Sequence, residues 1–198
     1  MEYTHIPGST AQVILLFHGT GGSSAELLGL GQYLNKDATL IGIDGEVFEN
    51  GMRRYFERYS NGSFNLESLK ANTDKVYEKI KLILKKENLE DATISALGYS
   101  NGANLLLNLM REYDDNAFDN LLLFHPSPAR EDDPFIQKDV EVFMTSGKQD
   151  PFITKDEFKQ LQKALKKADN TVKTFTHDLG HQLIHEELEE AKRFLEKI

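Results

Sequence analysis

Short apolar runs recur along the chain, each closed by glycine, aspartate or histidine and followed by a stretch in which apolar residues return every three or four positions. Ala11 to Phe17 is the first such run. It ends in the breaker-rich His18-Gly19-Thr20-Gly21-Gly22 and predicts a buried strand. Ser23, with Glu26 three residues on, has the form of a capping box, and Leu27, Leu30 and Leu34 supply the apolar stripe of a helix. Ala38 to Ile43 predicts a second strand, ending at Asp44-Gly45. The segment from there to Gly62 reads as loop-rich and carries Phe48, Met52, Arg53, Arg54, Tyr55 and Phe56. Two readings stay open for it: a partly exposed aromatic and basic cluster, or a helical turn that packs Phe56 and Tyr59 on the core while the arginines face water.

From Leu66 to about Glu87, Leu66, Leu69, Val76, Ile80, Ile83 and Leu84 fall on one helical face with Lys and Glu opposite. A strand through Ile94 and Leu97 then enters Gly98-Tyr99-Ser100-Asn101-Gly102 and passes directly into a helix carrying Leu105, Leu106, Leu109 and Tyr113. Asn120 to His125, Val140 to Ser146 and Thr171 to Thr176 predict three more strands. Thr154 with Glu157 caps a helix that buries Phe158, Leu161 and Leu165, and Gln182 to Lys197 predicts a last helix. Strands alternating with helices imply an α/β protein with a mainly parallel, twisted sheet covered on both faces. With no repeat, low-complexity tract or linker, residues 1–198 read as a single domain.

Composition narrows the function classes. At 198 residues, 39% hydrophobic and 28% charged, one domain can bury roughly 70% of the surface its unfolded chain exposes. The net charge of −9 argues against nucleic acid or anionic headgroups as partners, since phosphate contacts need clustered Lys and Arg. The absence of Cys excludes disulfides, thiol catalysis and Cys-ligated metal centres and suits a reducing cytoplasm. Met1 to Pro7 has neither the basic region nor the apolar core of a secretory signal. The longest apolar runs, Val13 to Phe17 and Leu121 to Phe124, are too short to span a bilayer. The expectation is a cytoplasmic protein without stable membrane association, acting on a small molecule; its oligomeric state is left open.

The chemistry centres on Ser100. A tight strand-to-helix turn forces its central residue into a strained conformation, and Gly98 and Gly102 remove side chains that would collide with the neighbouring strand and helix. The same turn sets Ser100 at a helix N-terminus, which favours negative charge developing on an attacked carbonyl. A serine hydroxyl needs a base, the base an orienting carboxylate, and the oxyanion two donors. His181, in Leu179-Gly180-His181-Gln182, and Asp150, in Ser146-Gly147-Lys148-Gln149-Asp150-Pro151, each follow a strand end. Ser, Asp, His is the chain order of α/β-hydrolases. Asp178 competes for the acid role but lies three residues from His181 and lacks its own strand-end position. The donors are the backbone N–H groups of Thr20 and Asn101. The glycine loop lacks the signatures of a P-loop or a dinucleotide fold, so no cofactor is expected. His177, His181 and His185 are spaced by four, but Gly180 interrupts any helix there and no His-Glu-x-x-His is present, so no metal is expected. His125 has two readings, substrate contact or a structural hydrogen bond at a strand end.

The stretches Leu16 to Gly22, Glu46 to Met52, Gly98 to Asn104, Phe124-His125-Pro126, Asp150-Pro151 and Gly180-His181-Gln182 together resemble the small carboxylesterase/phospholipase group of α/β-hydrolases, above all bacterial hydrolases of the methylhydroquinone-inducible type. The resemblance spans nearly the whole chain. It implies an α/β-hydrolase fold and gives Ser100, Asp150 and His181 as triad and Thr20 and Asn101 as oxyanion donors. Thr154 departs from the Pro that relatives often carry after the acid loop, which touches only the start of the next helix.

Only His125 to Asp139 separates the strand ending at Phe124 from the next, too short for a cap domain, and its Pro-Ser-Pro and Arg130 to Asp133 composition is polar. An open, shallow pocket is therefore expected, walled by Phe48, Met52, Phe56, Tyr99 and Phe152, with Arg53 meeting a polar or anionic end of the substrate. The function implied is a serine hydrolase of small carboxylic esters. Thioesters and lactones suit the same chemistry, and a non-catalytic ligand-binding protein on this fold is the reading from another class.

Overall fold

Seven strands hydrogen-bond into one sheet in the computed structural model, which describes residues 2–115, 118–130 and 132–197. They are β1 (Tyr3–Ile6), β2 (Gln12–Phe17), β3 (Thr39–Ile43), β6 (Thr93–Tyr99), β7 (Asn120–Phe124), β8 (Glu141–Gly147) and β9 (Thr171–His177), in spatial order β1-β3-β2-β6-β7-β8-β9. Only β1 is antiparallel to its neighbour. The intervening β4 (Val47–Glu49) and β5 (Met52–Arg54) pair as a separate hairpin.

The central strands are buried on both faces, as a parallel sheet under two helical layers requires. One face sets Val13, Leu15, Ile41, Ala96, Leu121 and Val142 against helices α2 (Leu66–Lys86), α3 (Asn101–Glu112) and α4 (Lys155–Lys167). The other sets Ile14, Leu16, Leu40, Leu97, Leu122 and Phe143 against α1 (Leu28–Leu34) and α5 (His185–Leu195). Alternate residues of each strand thus serve different layers. The arrangement is an α/β-hydrolase fold. No described helix is long and apolar enough to cross a membrane.

Four local expectations change. Strand β1 carries no apolar run: Tyr-Thr-His-Ile is half-buried at the sheet edge and pairs with β3 alone, so the signal of a buried strand is missing. The Ser23–Glu26 capping box does not form. Helix α1 starts at Leu28 without a side-chain cap, while the Ser24 N–H and Oγ donate to Asp44 Oδ1 (2.6 Å) and Oδ2 (3.2 Å), tying the loop to the end of β3. The last helix begins at His185 rather than Gln182. The segment after Asp44 forms the β4–β5 hairpin instead of loop or helical turn, with Phe56 fully buried and Tyr59 exposed.

Thr154 and Glu157 do form a reciprocal capping box on α4. Between β7 and β8 no helix is inserted among the described residues. Ile136 and Gln137 N–H donate to Met110 O, and Phe135 is buried with the Arg111 guanidinium over its ring, so this connection lies along α3. Glu131, part of its polar stretch, lies outside the described residues.

Candidate active site

Ser100 sits where β6 stops and α3 starts, with φ 51° and ψ −110°, a region that L-residues occupy only where the surroundings hold them. Its N–H donates to Phe124 O of the adjacent strand (2.9 Å). A Cβ on Gly98 would stand 2.6 Å from Ala103 N, and one on Gly102 would collide with the Phe17 carbonyl of β2. The glycines are there because strand and helix backbones touch.

Two loops at the same sheet edge bring the other groups. Gly147, ending β8, approaches the Leu179 and Gly180 carbonyls so closely that a Cβ would overlap both. That contact joins the loop bearing Asp150 to the loop bearing His181. His181 Nε2 lies 2.8 Å from Ser100 Oγ, and His181 Nδ1 lies 2.7 Å from Asp150 Oδ2. The carboxylate fixes the proton on Nδ1, so Nε2 presents its lone pair to the serine O–H. Asp150 Oδ1 accepts the Phe152 N–H (2.9 Å). Burial pushes the Asp150 pKa up, but hydrogen bonds from His125, the Phe152 N–H and His181 outweigh it and hold it below the ordinary carboxylate value. The Tyr99 phenol donates to His181 O (2.7 Å), and Phe152 meets the imidazole edge-on. Asp178, the competing acid, is 83% exposed and paired with Lys148.

The loop after β2 is held by His18. Its Nδ1 donates to Gly19 O (2.6 Å) and its Nε2 accepts the Gly45 N–H (3.1 Å), while the His18 N–H donates to the Tyr55 phenol. Burial, the largest cause, lowers the His18 pKa and keeps this bridge neutral. Thr20 and Asn101 both line the cavity in front of Ser100. As the first residue of α3, Asn101 has an N–H without an intrahelical acceptor, and the Thr20 N–H meets no acceptor among the described residues.

That cavity, of about 260 Å³, is also bounded by Tyr99, Phe152 and His181. The other expected walls are elsewhere. Phe56 is fully buried in the core, edge-on to Phe64. Phe48 (64% exposed) and Met52 stand on the outer hairpin, Met52 against Gly21, and Arg53 pairs with Asp44 (3.1 Å) over the Phe48 ring. Five residues not expected as pocket walls also line the cavity: Arg54, Arg58, Phe64, Asn104 and Ser127. Arg54 is buried and donates to Thr20 Oγ1 (2.6 Å) and Phe56 O. Burial first, then the neighbouring Arg58 charge, draw its pKa down to about 10, still protonated at neutral pH. Arg58 pairs with Glu49. Asn104, one helical turn from Ser100, was legible from spacing; the arginines were not, because their placement depends on the hairpin.

Behind Ser100, His181 and Asp150 lies a buried polar cluster. His125 Nδ1 is 3.0 Å from Asp150 Oδ2, and His125 Nε2 is 3.3 Å from Glu187 Oε1 and 3.4 Å from His177 Nε2. His125 thus contacts the acid and not the cavity. His125, His177 and Glu187 bring ligand-type atoms within 4.8 Å of one another. Yet the Leu179 N–H donates to His177 Nδ1 (3.2 Å), which puts the His177 proton on Nε2 and removes the lone pair a metal would need.

Residues 53–192 match the dienelactone hydrolase family. The chain belongs to that family. It is 35% identical to the putative hydrolase MhqD of Bacillus subtilis (strain 168) over 195 residues, 98% of this chain and 97% of the relative. The Bacillus cereus carboxylesterase structure superposes with a TM-score of 0.95 at 33% identity, covering 100% of this chain and 94% of that one. YahD, solved with malic acid, superposes with a TM-score of 0.91 at 29% identity, covering 99% and 98%. This dienelactone hydrolase family member is therefore a hydrolase of the carboxylesterase type, in agreement with the resemblance carried by its motifs.

Proposed function

We propose that the protein hydrolyses small carboxylic esters through an acyl-enzyme formed on Ser100. The observation that carries the reading is the unbroken hydrogen-bond chain from Ser100 Oγ through His181 to Asp150, set on a strained elbow. His181 Nε2 takes the hydroxyl proton as Oγ bonds to the carbonyl carbon; the oxyanion lies against the N–H groups of Thr20 and Asn101. His181 then gives the proton to the departing alcohol, and water repeats the sequence to release the acid. Asp150 holds the tautomer and stabilises the imidazolium.

The cavity supports a compact acyl group, with the Arg54–Arg58 side suiting a polar or anionic end. YahD's malic acid is consistent with a carboxylate-bearing ligand on this fold. Lactone hydrolysis is the second reading, favoured by the family to which residues 53–192 belong. A fluorophosphonate probe should label the wild type and fail on Ser100→Ala; equal labelling of both would remove Ser100 from the mechanism. A panel of acetates, thioesters, lactones and half-esters of dicarboxylic acids orders the substrate classes, and no preference for half-esters over neutral esters would dismiss the role given to the arginines.

A further inference from the structure

The acid of the triad is shared. Asp150 Oδ2 accepts from His181 Nδ1 at 2.7 Å and from His125 Nδ1 at 3.0 Å, and the side chains of Asp150, His125 and Glu187 are all 0% exposed. With its Nδ1 proton committed to Asp150, His125 turns Nε2 towards Glu187 Oε1 at 3.3 Å. Two acceptors would face each other there unless a proton lies between them. Glu187 Oε1 already accepts the Ile184 N–H (2.8 Å), and Oε2 has no hydrogen-bond partner among the described residues, so the carboxylate has little other compensation for its burial.

We propose that His125 is a positioning residue of the hydrolytic reaction: a buried imidazolium, held between Asp150 and Glu187, that fixes the acid's rotation and draws part of its charge away from His181. The proposal rests on the triad reading above. It gives a reason for two carboxylates buried on opposite sides of one imidazole behind one serine. Burial alone would lower the His125 pKa; hydrogen bonds to Glu187 and Asp150 outweigh it and raise it. The other groups facing His125 are His177 at the end of β9, the His181 ring, and the Tyr99 ring, edge-on at 6.0 Å. Of these, none supplies a third anion. The protonated His177 Nε2 is 3.4 Å from His125 Nε2 and 3.9 Å from Glu187 Oε2, so that beside an imidazolium its hydrogen faces the carboxylate. An imidazolium at this position stops Asp150 from over-stabilising protonated His181, so the base stays free for Ser100 at lower pH.

The position narrows the variants. His125 has φ 50°, which Asn tolerates better than most residues, and Asn keeps a donor for Asp150 while carrying no charge. Glu187→Gln keeps an acceptor for the Ile184 N–H. Protein labelled with ¹⁵N-histidine should show one of its six imidazoles doubly protonated from pH 6 to 8, a signal absent from His125→Asn. In that variant the titration midpoint of His181, and with it the acid limb of kcat/KM on p-nitrophenyl acetate, should rise by about one pH unit, the scale of losing one nearby charge. Glu187→Gln should shift both in the same direction, and the double variant should shift no further than His125→Asn. The sign is decisive: if Glu187 acted on His181 through its own field, removing its charge would move the midpoint down. A neutral His125 at pH 7, or folded variants with an unmoved midpoint, would overturn the proposal. The NMR arm needs no turnover, so a wild type that neither hydrolyses esters nor labels with fluorophosphonate would sink the esterase reading and leave the His125 charge still decided.

Discussion

The two sides of the cavity are built differently. On the acid–base side, Asp150, His125 and Glu187 are sealed from solvent and joined through the His125 imidazole. On the substrate side, Phe152 is exposed at the cavity, and beyond it the β4–β5 hairpin turns Phe48 and Met52 to water. A buried polar network tolerates little change, because any group left without its partner costs its full desolvation. An exposed rim tolerates much, because water replaces whatever is removed. Chemistry should therefore be fragile on one side and tunable on the other.

The largest effect is expected at the acid. Asp150→Asn should keep the fold yet lower kcat by about 10⁴-fold, since an amide donates where Nδ1–H needs an acceptor and selects the wrong tautomer. Asp178→Asn, on an exposed pair with Lys148, should stay near wild type; kcat measured for the two variants tests the assignment, and an inverted order refutes it. Next comes the loop between the two sides. Thr20→Pro removes the N–H proposed as an oxyanion donor and should cost on the order of 10²-fold in kcat. Thr20→Ala is the matched control, because it keeps the N–H and loses the hydroxyl that accepts from buried Arg54; losses of the same size in both, with folding intact by circular dichroism, would move the role from backbone to side chain. The smallest effect belongs to the rim. Phe152→Ala should lower kcat/KM by less than about tenfold, and more for butyrate than for acetate esters, since each methylene buried against the ring contributes roughly 0.8 kcal/mol. A loss independent of acyl length would show that Phe152 acts through His181, which its ring touches.

Legibility in the sequence follows the same division. The strand–helix alternation, the elbow and the strand-end positions of Asp150 and His181 rest on local rules: a run that stops, a glycine where backbones meet, a histidine before a helix. Each could be read from a few consecutive residues. The rim could not. Arg53 and Arg54 are neighbours, yet β5 alternation turns Arg53 to Asp44 at the surface and buries Arg54 beside Thr20, and nothing local says where the alternation begins. Phe56 was expected at the wall for the same reason and belongs to the core. The capping box misread at Ser23 has a related cause: the serine and acid spacing is present, but Asp44, twenty residues beyond Ser24, captures the loop first. His125 stood in the sequence with two readings, and its cluster with Asp150, His177 and Glu187 required three separate strands and a helix to converge.

The hairpin's anchorage bears on how such proteins diverge. At one end Asp44 is tied to Ser24; at the other the Tyr55 phenol donates to Ile43 O (2.6 Å) and its N–H to Asn101 Oδ1 (2.7 Å). Between these fixed points lie ten residues, 45–54, of which only the tip and outer face meet solvent freely. An insertion near Asn50-Gly51, both at positive φ, would lengthen the rim while leaving both tethers, and with them the sheet, undisturbed. Changes in the hairpin's length and side chains would thus reshape the rim while leaving the sheet edge that carries Ser100, Asp150 and His181 in place.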